Sequence, residues 1–84
     1  MKIYKFLQHG EWPVLVAAKN RSKAKYQLYL LARLLSNDGY DGFLDCLKDF
    51  KFAGTVSSTE AMGLIDKEEC DTDYDVERLI RCYK

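Results

Sequence analysis

The first apolar residues of the chain, in KIYKFL (residues 2–7), are mostly aromatic or β-branched, and polar lysines separate them at positions 2 and 5. This pattern is typical of a β-strand. The segment GEWPVLVAA follows, and its Gly10 can supply the positive φ angle of a tight turn. Because Pro13 has no backbone N–H, it should lie at the start of a strand or on an edge. The pattern predicts a β-hairpin with strands near residues 2–7 and 13–18.

Apolar residues at helical spacing begin after the predicted hairpin. Ser22 is a candidate N-cap, and Gly39 suits the left-handed position that follows a helix ending near Leu35. At 100° per residue, one stripe collects Ala24, Leu28, Leu31 and Leu35, flanked by Leu30 and Leu34. The opposite face collects Lys25, Tyr26, Tyr29 and Arg33. We expect an amphipathic helix whose leucines enter the core and whose outer face is basic and aromatic.

A second apolar stripe predicts a helix from about Tyr40 to Phe52. Its members are spaced i, i+3, i+7 and i+10: Tyr40, Phe43, Leu47 and Phe50, with Cys46 at the edge of the stripe. Gly54 ends this pattern, and the segment GTVS that begins there is a candidate third strand.

Two capping boxes predict two C-terminal helices. Ser57 with Glu60 marks a short helix over STEAMGLI, and Thr72 with Asp75 marks a last helix, with Asp in place of the usual Glu. The last helix has an apolar stripe at i, i+3, i+4 and i+7: Val76, Leu79, Ile80 and Tyr83. Acids crowd its first turn and cations its last turn, which is the order that the helix dipole favours.

These elements predict one small α+β domain over residues 1–84. An N-terminal antiparallel β-hairpin, with a candidate third short strand, packs one face of its sheet against about three helices. With 48% hydrophobic residues, the chain is too apolar to be disordered. A chain of 84 residues buries only about 60% of the surface that its unfolded form exposes, so a deep internal pocket is not expected.

The net charge of zero hides an asymmetry along the chain. Residues 1–36 carry seven Lys and Arg against one acid, and residues 37–84 carry six against twelve. Such a division indicates a basic surface for nucleic acid or an acidic surface for a protein partner. Alternatively, the two halves pack together and partly neutralise each other. The sequence leaves both interpretations open.

Side chains suited to catalysis are few. His9 is the only histidine and lies in the predicted turn, where we expect it to be solvated. The five glycines are too scattered for a phosphate-binding loop. No residue pattern marks an orienting partner or an oxyanion donor for a nucleophile. We therefore expect a protein that is not an enzyme and that uses no cofactor.

The three cysteines, Cys46, Cys70 and Cys82, are widely spaced and form no Cys-x-x-Cys motif. This spacing is atypical of a zinc site and of a secreted disulfide framework, and it favours a reducing cytoplasm. The longest apolar run, Pro13 to Ala18, is far shorter than the roughly 20 residues that span a membrane. No signal-peptide pattern opens the sequence. We expect a cytoplasmic protein that makes no use of a membrane.

An EF-hand calcium loop is suggested by three alternating aspartates, Asp71, Asp73 and Asp75, which match its first three ligand positions. The loop then requires a glycine where this chain has Val76 and a glutamate where it has Cys82. A helix N-terminus rich in acids explains the pattern better, so no metal site is predicted.

The acidic segment is instead a candidate surface for a protein partner. From position 66 to position 77 it holds seven acids and one lysine. The candidate acidic partner patch consists of Asp71, Asp73, Asp75 and Glu77. Complementary charge would orient it on a basic protein surface. Alternatively, the segment is a solvated loop followed by a helix N-terminus.

The outer face of the first helix is the candidate nucleic-acid or partner face, formed by Lys25, Tyr26, Tyr29 and Arg33. Cations neutralise phosphates and tyrosines stack on bases, so an RNA or single-stranded DNA binder would use this combination. The pI of about 6.5 is below the value usual for such domains. If both tyrosines are buried, the face is scaffold; if they are exposed, it is a site.

The opening MKIYKF…VAAKNRSKAKYQLYLLA resembles the start of small uncharacterised proteins of bacterial phages and prophages, in which a hairpin ending in VAA or VVA precedes an S-x-A-K-Y helix. The matching residues are Val16, Ala17, Ala18, Ser22, Ala24, Lys25 and Tyr26, within the first 35 residues or so. The resemblance implies a phage or prophage gene expressed in a bacterial host cell, and it implies no activity.

Together these observations predict a non-catalytic binding module, a phage or prophage accessory protein that engages a protein partner such as a host factor or defence component. Binding of RNA or single-stranded DNA through the face of the first helix is the alternative. A third hypothesis is a homo-oligomeric structural protein in which the basic half of one copy meets the acidic half of another.

Overall fold

The computed structural model describes residues 1–35 and 42–82 as an α+β domain. The predicted fold class is therefore confirmed. The elements, in chain order, are β1 (Lys2–Gln8), β2 (Trp12–Ala18), α1 (Arg21–Leu35), α2 (Phe43–Lys48), β3 (Phe50–Val56), α3 (Ser58–Asp66), β4 (Asp71–Thr72) and α4 (Tyr74–Cys82).

The β-strands form one mixed sheet in the order β3-β1-β2-β4. The predicted hairpin is confirmed: β1 and β2 are antiparallel and form the two central strands. Their turn has positive φ angles at His9 (52°) and Gly10 (76°), and the Glu11 N–H donates to the Gln8 carbonyl at 3.0 Å. Two central residues with positive φ are what a type I′ hairpin turn requires.

Strand β2 is buried on both of its faces, because every residue from Val14 to Ala18 is inaccessible to solvent. Residues Val14, Val16 and Ala18 join one apolar cluster, and the alternate residues Leu15 and Ala17 join another. The prediction that helices cover only one face is therefore wrong. A strand whose apolar residues do not alternate with polar ones needs cover on both sides.

The first cluster lies between the sheet and α1, with α2 at its margin. Its buried members are Tyr4, Phe6, Val14, Val16, Ala18, Ala24, Leu28 and Leu31, and the half-buried Leu47, Phe50 and Phe52 pack against them. The second cluster lies on the other side of the sheet, beneath α3 and α4. Its buried members are Ile3, Leu15, Ala17, Ala61, Val76 and Ile80. The domain thus has two thin cores separated by one sheet.

Strand β3 corrects the prediction of a helix reaching Phe52. Helix α2 ends at Lys48, and the chain then alternates between half-buried and exposed residues from Phe50 to Val56. Phe52 pairs with Phe6 of β1, and their rings meet edge to face with centroids 5.6 Å apart. Pairing with β1 therefore overrides the local helical spacing. Tyr40, the first residue of the predicted stripe, lies outside the described residues.

A β-bulge at Gly54 divides β3 between the two cores. Tyr4 pairs with Thr55 and Phe6 with Phe52, so β3 uses one more residue than β1 over this interval. Gly54 has a φ angle of 95°, which glycine adopts without a steric penalty. As a result, Phe52 joins the first cluster and Val56 joins the second.

The N-termini of α1, α3 and α4 are capped by side chains, only one of which was predicted correctly. The Ser57 hydroxyl accepts a hydrogen bond from the Glu60 N–H at 3.1 Å and begins α3, as expected. Helix α1 is capped by Asn20 rather than Ser22, through the Lys23 N–H at 2.9 Å.

The last helix begins one residue later than its predicted capping box. The Asp73 carboxylate, and not the Thr72 hydroxyl, accepts the Val76 N–H at 2.9 Å. Thr72 belongs to β4 and pairs with Leu15 of β2, so the helix begins only after this strand residue. The predicted apolar stripe of this helix is confirmed at Val76 and Ile80, which are buried, while Tyr83 lies outside the described residues.

Candidate functional site

The outer face of α1, hereafter the α1 face, consists of Lys25, Tyr26, Tyr29 and Arg33. The first cluster holds the inner side of the helix through Ala24, Leu28 and Leu31. Tyr26 projects on the opposite side and is 54% exposed. Lys25 and Tyr29 are half-buried, and Arg33 is exposed. Of the two tyrosines, Tyr26 is therefore exposed and Tyr29 is half-buried.

Tyr29 is held by neighbours on two sides. Its ring meets the edge of Phe43 of α2 almost perpendicularly, with centroids 5.8 Å apart. The Arg33 guanidinium lies 5.6 Å from the centre of the same ring, within the range of a cation–π contact. Tyr29 is therefore partly scaffold and positions Arg33, whereas Tyr26 remains available to a ligand.

Arg21 is a cation that belongs to the fold. Its guanidinium lies 4.0 Å from the centre of the Phe52 ring and so joins the start of α1 to β3. Sequence reasoning missed this role, because it depended on Phe52 being part of a strand. Helix α1 is nevertheless basic, since it contains four Lys and Arg and no acid.

Leu44 of α2 is an exposed apolar residue that sequence reasoning also missed. It is 74% exposed and follows Phe43, the residue that contacts Tyr29. The sequence indicates this exposure, because Leu44 does not lie on the apolar stripe of Phe43 and Leu47. Leu44 and Tyr26 give the region around the α1 face apolar as well as charged surface.

The acidic partner patch is partly used by the fold. The Trp12 indole Nε1 donates to the Asp71 carboxylate at 3.0 Å, which attaches β4 to the start of β2. Asp73 caps α4 and is half-buried. Asp75 and Glu77 are also half-buried, so none of the four predicted acids is fully exposed.

Asp73 has an unusual environment for a carboxylate. Its Oδ2 is buried and, among the described residues, has no hydrogen-bond partner. Burial raises the pKa of Asp73, the Asp75 carboxylate raises it further, and the backbone N–H groups of Val76, Ala17 and Asp75 oppose this increase. The group is best explained as a helix cap next to the sheet edge, where its charge is costly.

A groove between α3 and α4 brings together Asp66 and Glu77, which begin and end the acidic segment of residues 66–77. Its volume is about 230 Å³, and it is lined by Met62, Ile65, Asp66, Glu77, Ile80 and Arg81. Asp66 was not among the predicted patch residues, since its approach to Glu77 depends on the packing of the two helices. We call this feature the α3–α4 groove.

The two charged surfaces lie on opposite sides of the sheet. Helix α1 covers the first cluster, and α3 and α4 cover the second. The sheet therefore separates the cations of α1 from the acids of the α3–α4 groove. This arrangement favours the interpretation in which both surfaces face potential partners.

The histidine and two of the cysteines occupy separate places. His9 is exposed in the hairpin turn, where its N–H donates to the Asp49 carbonyl at 2.8 Å. Cys46 is buried and Cys70 is half-buried, and both are free thiols. Burial, with smaller contributions from Asp49 and Asp45, raises the pKa of Cys46 to about 11. No group of three or more potential metal ligands occurs within residues 1–35 and 42–82.

Within the described part of the chain, no helix is both long enough and apolar enough to cross a membrane. Comparisons with protein-family models, curated proteins and solved structures found no match to this chain.

Proposed function

We propose that the chain is a non-catalytic binding module that docks on an acidic protein surface through the α1 face. The observation that carries the proposal is the exposure of Tyr26 among cations, on the side of α1 that faces away from the core. Tyrosine and arginine are enriched in protein interfaces and dominate their binding energy, because they combine a large contact area with polar groups.

The contacts within this face also support protein binding. Tyr29 packs against Phe43, and the Arg33 guanidinium lies 5.6 Å from the centre of the Tyr29 ring, so both side chains already have neighbours that restrict their conformations. An interface whose side chains are already ordered loses less conformational entropy on binding. With four cations and no acid in α1, the face would attract and orient an acidic partner.

The phage and prophage resemblance of the first 35 residues or so suggests where such a partner is found. A small phage protein acts in the cytoplasm of its bacterial host, so we propose a host factor or a defence component as the partner. This part of the proposal depends on the resemblance alone.

Affinity capture from a bacterial lysate at low salt tests the proposal. We expect the immobilised wild-type protein to retain a specific protein, and Tyr26→Ala or Arg33→Glu to lose it. Lys51→Glu is the matched control, because Lys51 is an exposed cation on β3, away from α1. Retention of no specific protein, or equal loss by the control variant, would contradict the proposal.

Nucleic-acid binding is the second candidate, favoured by the same exposed Tyr26 and the four cations of α1. Tyr26 is the tyrosine of this face that is more open to stacking with a base, because Tyr29 is half-buried and packs against Phe43. A mobility-shift assay with RNA and single-stranded DNA tests this function, and Lys25→Ala with Arg33→Ala should weaken any binding. No shift at about 50 mM salt, where phosphate contacts are strong, would rule it out.

A further inference from the structure

The α3–α4 groove has an apolar floor and acidic walls. Met62, Ile65 and Ile80 supply the apolar atoms, and Asp66 and Glu77 supply the carboxylates. Among the described residues, Arg81 is the one cation that lines it. A lysine or arginine side chain matches this lining, because its stem is aliphatic and its end is charged.

The size of the groove suits a protruding side chain better than a small-molecule ligand. Its volume of about 230 Å³ is below the range of roughly 300–1,000 Å³ that is common for ligand pockets. The segment that contains α3 and α4, residues 58–82, has eight acids and three Lys and Arg. Tyr74, at the start of α4, is 73% exposed and adds an aromatic side chain to this side of the molecule.

The α1 face of the same chain offers the complementary chemistry. It presents Lys25 and Arg33 with the exposed Tyr26, whereas the groove presents carboxylates near the exposed Tyr74. Since the sheet separates the two surfaces, they can meet only between two molecules. The net charge of zero means that two copies do not repel each other overall.

We infer that the α1 face of one copy docks into the α3–α4 groove of a second copy. The inference rests on the proposed function, because it names a partner for the same α1 face. The two surfaces differ, so the contact is heterologous, and repeated contacts give a ring if their rotation closes and an open chain if it does not. In either case association depends on protein concentration.

Sedimentation velocity of the full chain provides the first test. We expect species larger than the 9.8 kDa monomer at about 0.1 M salt and mainly monomer at about 1 M, since the screening length falls from about 10 Å to about 3 Å. A wild-type protein that is monomeric at both salt concentrations, or associates equally at both, would overturn the inference.

Two charge-reversal variants provide the second test. Lys25→Glu with Arg33→Glu removes the basic surface, and Asp66→Lys with Glu77→Lys removes the acidic one. We expect each variant to be monomeric alone and an equimolar mixture to associate, because the intact groove of the first variant can bind the intact α1 face of the second. A mixture that stays monomeric although both variants keep the wild-type circular dichroism spectrum would overturn the inference.

A milder pair of variants covers the case in which charge reversal disturbs folding. Arg33→Gln and Glu77→Gln should each weaken self-association at about 0.1 M salt by roughly tenfold. Glu11→Gln, in the exposed hairpin turn, is the matched control and should have no effect. Equal association of all three variants and the wild type would contradict the inference.

The groove variant also separates the two proposals. It keeps the α1 face, so it should still capture an acidic partner from a lysate if the proposed function is right. If the wild-type protein captures a partner but does not self-associate, only the inference that a second copy is bound is overturned. If the α1 face variants self-associate as the wild type does and the wild type captures no partner, both the inference and the proposed function are overturned.

Discussion

The β-bulge at Gly54 gives the sharpest test of the sheet, because a second glycine provides a control with the opposite expected sign. Gly54 has a φ angle of 95°, and a β-carbon built on it would meet no heavy atom within 4 Å. Gly54→Ala therefore introduces backbone strain without a steric clash. We expect it to destabilise the protein by about 1–2 kcal/mol, the cost of holding an L-residue in a left-handed conformation.

Gly63 lies within α3 and also has open space around its α-carbon. Gly63→Ala should stabilise the protein by about 0.5–1 kcal/mol, because alanine loses less conformational freedom in a helix than glycine does. In a domain of this size, each kcal/mol moves the melting temperature by about 4–8 °C. The two alanine variants should thus lie on opposite sides of the wild type.

Thermal unfolding followed by circular dichroism, with urea unfolding to obtain the free energy, measures both effects. The result that refutes the reasoning is a Gly54→Ala protein as stable as the wild type, since this would mean that position 54 does not require a positive φ. Stabilisation by both substitutions would equally contradict the assignment of the bulge.

Two other predictions concern buried ionisable groups. Because the folded pKa of Asp73 is raised, the stability of the wild type should fall as pH rises from about 4 through that pKa, and Asp73→Asn should lack this dependence. Urea unfolding of both proteins at several pH values measures the difference. Parallel pH profiles of the two proteins would contradict the prediction. Asp73→Ala should be about 1 kcal/mol less stable than Asp73→Asn, because only Asn keeps an oxygen for the Val76 N–H. Cys46 is inaccessible and its pKa is about 11, so a thiol reagent at pH 8 should label it far more slowly in the folded protein than in urea. Mass spectrometry of the peptide that contains Cys46 measures the labelling rate. Equal labelling rates would show that Cys46 is accessible.

Local patterns predicted the elements whose contacts are close in sequence. The hairpin followed from Gly10 and the flanking strand residues, and the N-terminus of α3 followed from Ser57 and its neighbour three positions on. The apolar stripe of α1 also identified its buried side, from Ala24 to Leu31. In each case the deciding interactions lie within the segment itself.

Strands β3 and β4 depend on distant partners and could not be predicted in this way. Phe50 stands three residues after Leu47, as in a helix, yet its segment pairs with β1 more than 40 residues earlier. Strand β4 consists of Asp71 and Thr72, which give no apolar signal and are placed by β2 and by the Trp12 indole. The one missed local signal was the unbroken apolar run of β2, which indicates cover on both faces.

The candidate site was predicted only in part, for the same reason. The sequence placed Tyr26, Tyr29 and Arg33 on one side of a helix, and the structure has them there. Their difference in exposure depends on Phe43, a residue of another helix. Likewise, the approach of Asp66 to Glu77 requires two helices to be packed side by side.

The distribution of the two cores along the chain has a consequence for the order of folding. All buried members of the first cluster lie between Tyr4 and Leu31, whereas the second joins Ile3 to Ile80. Contacts between residues close in sequence form faster, since less chain entropy is lost in closing the loop. The hairpin and α1 are therefore suited to act as the folding nucleus, even while a ribosome is still synthesising the rest. We expect helix α4 to pack last, and its detachment would leave the buried contacts of the first cluster in place, because no residue of α4 belongs to that cluster.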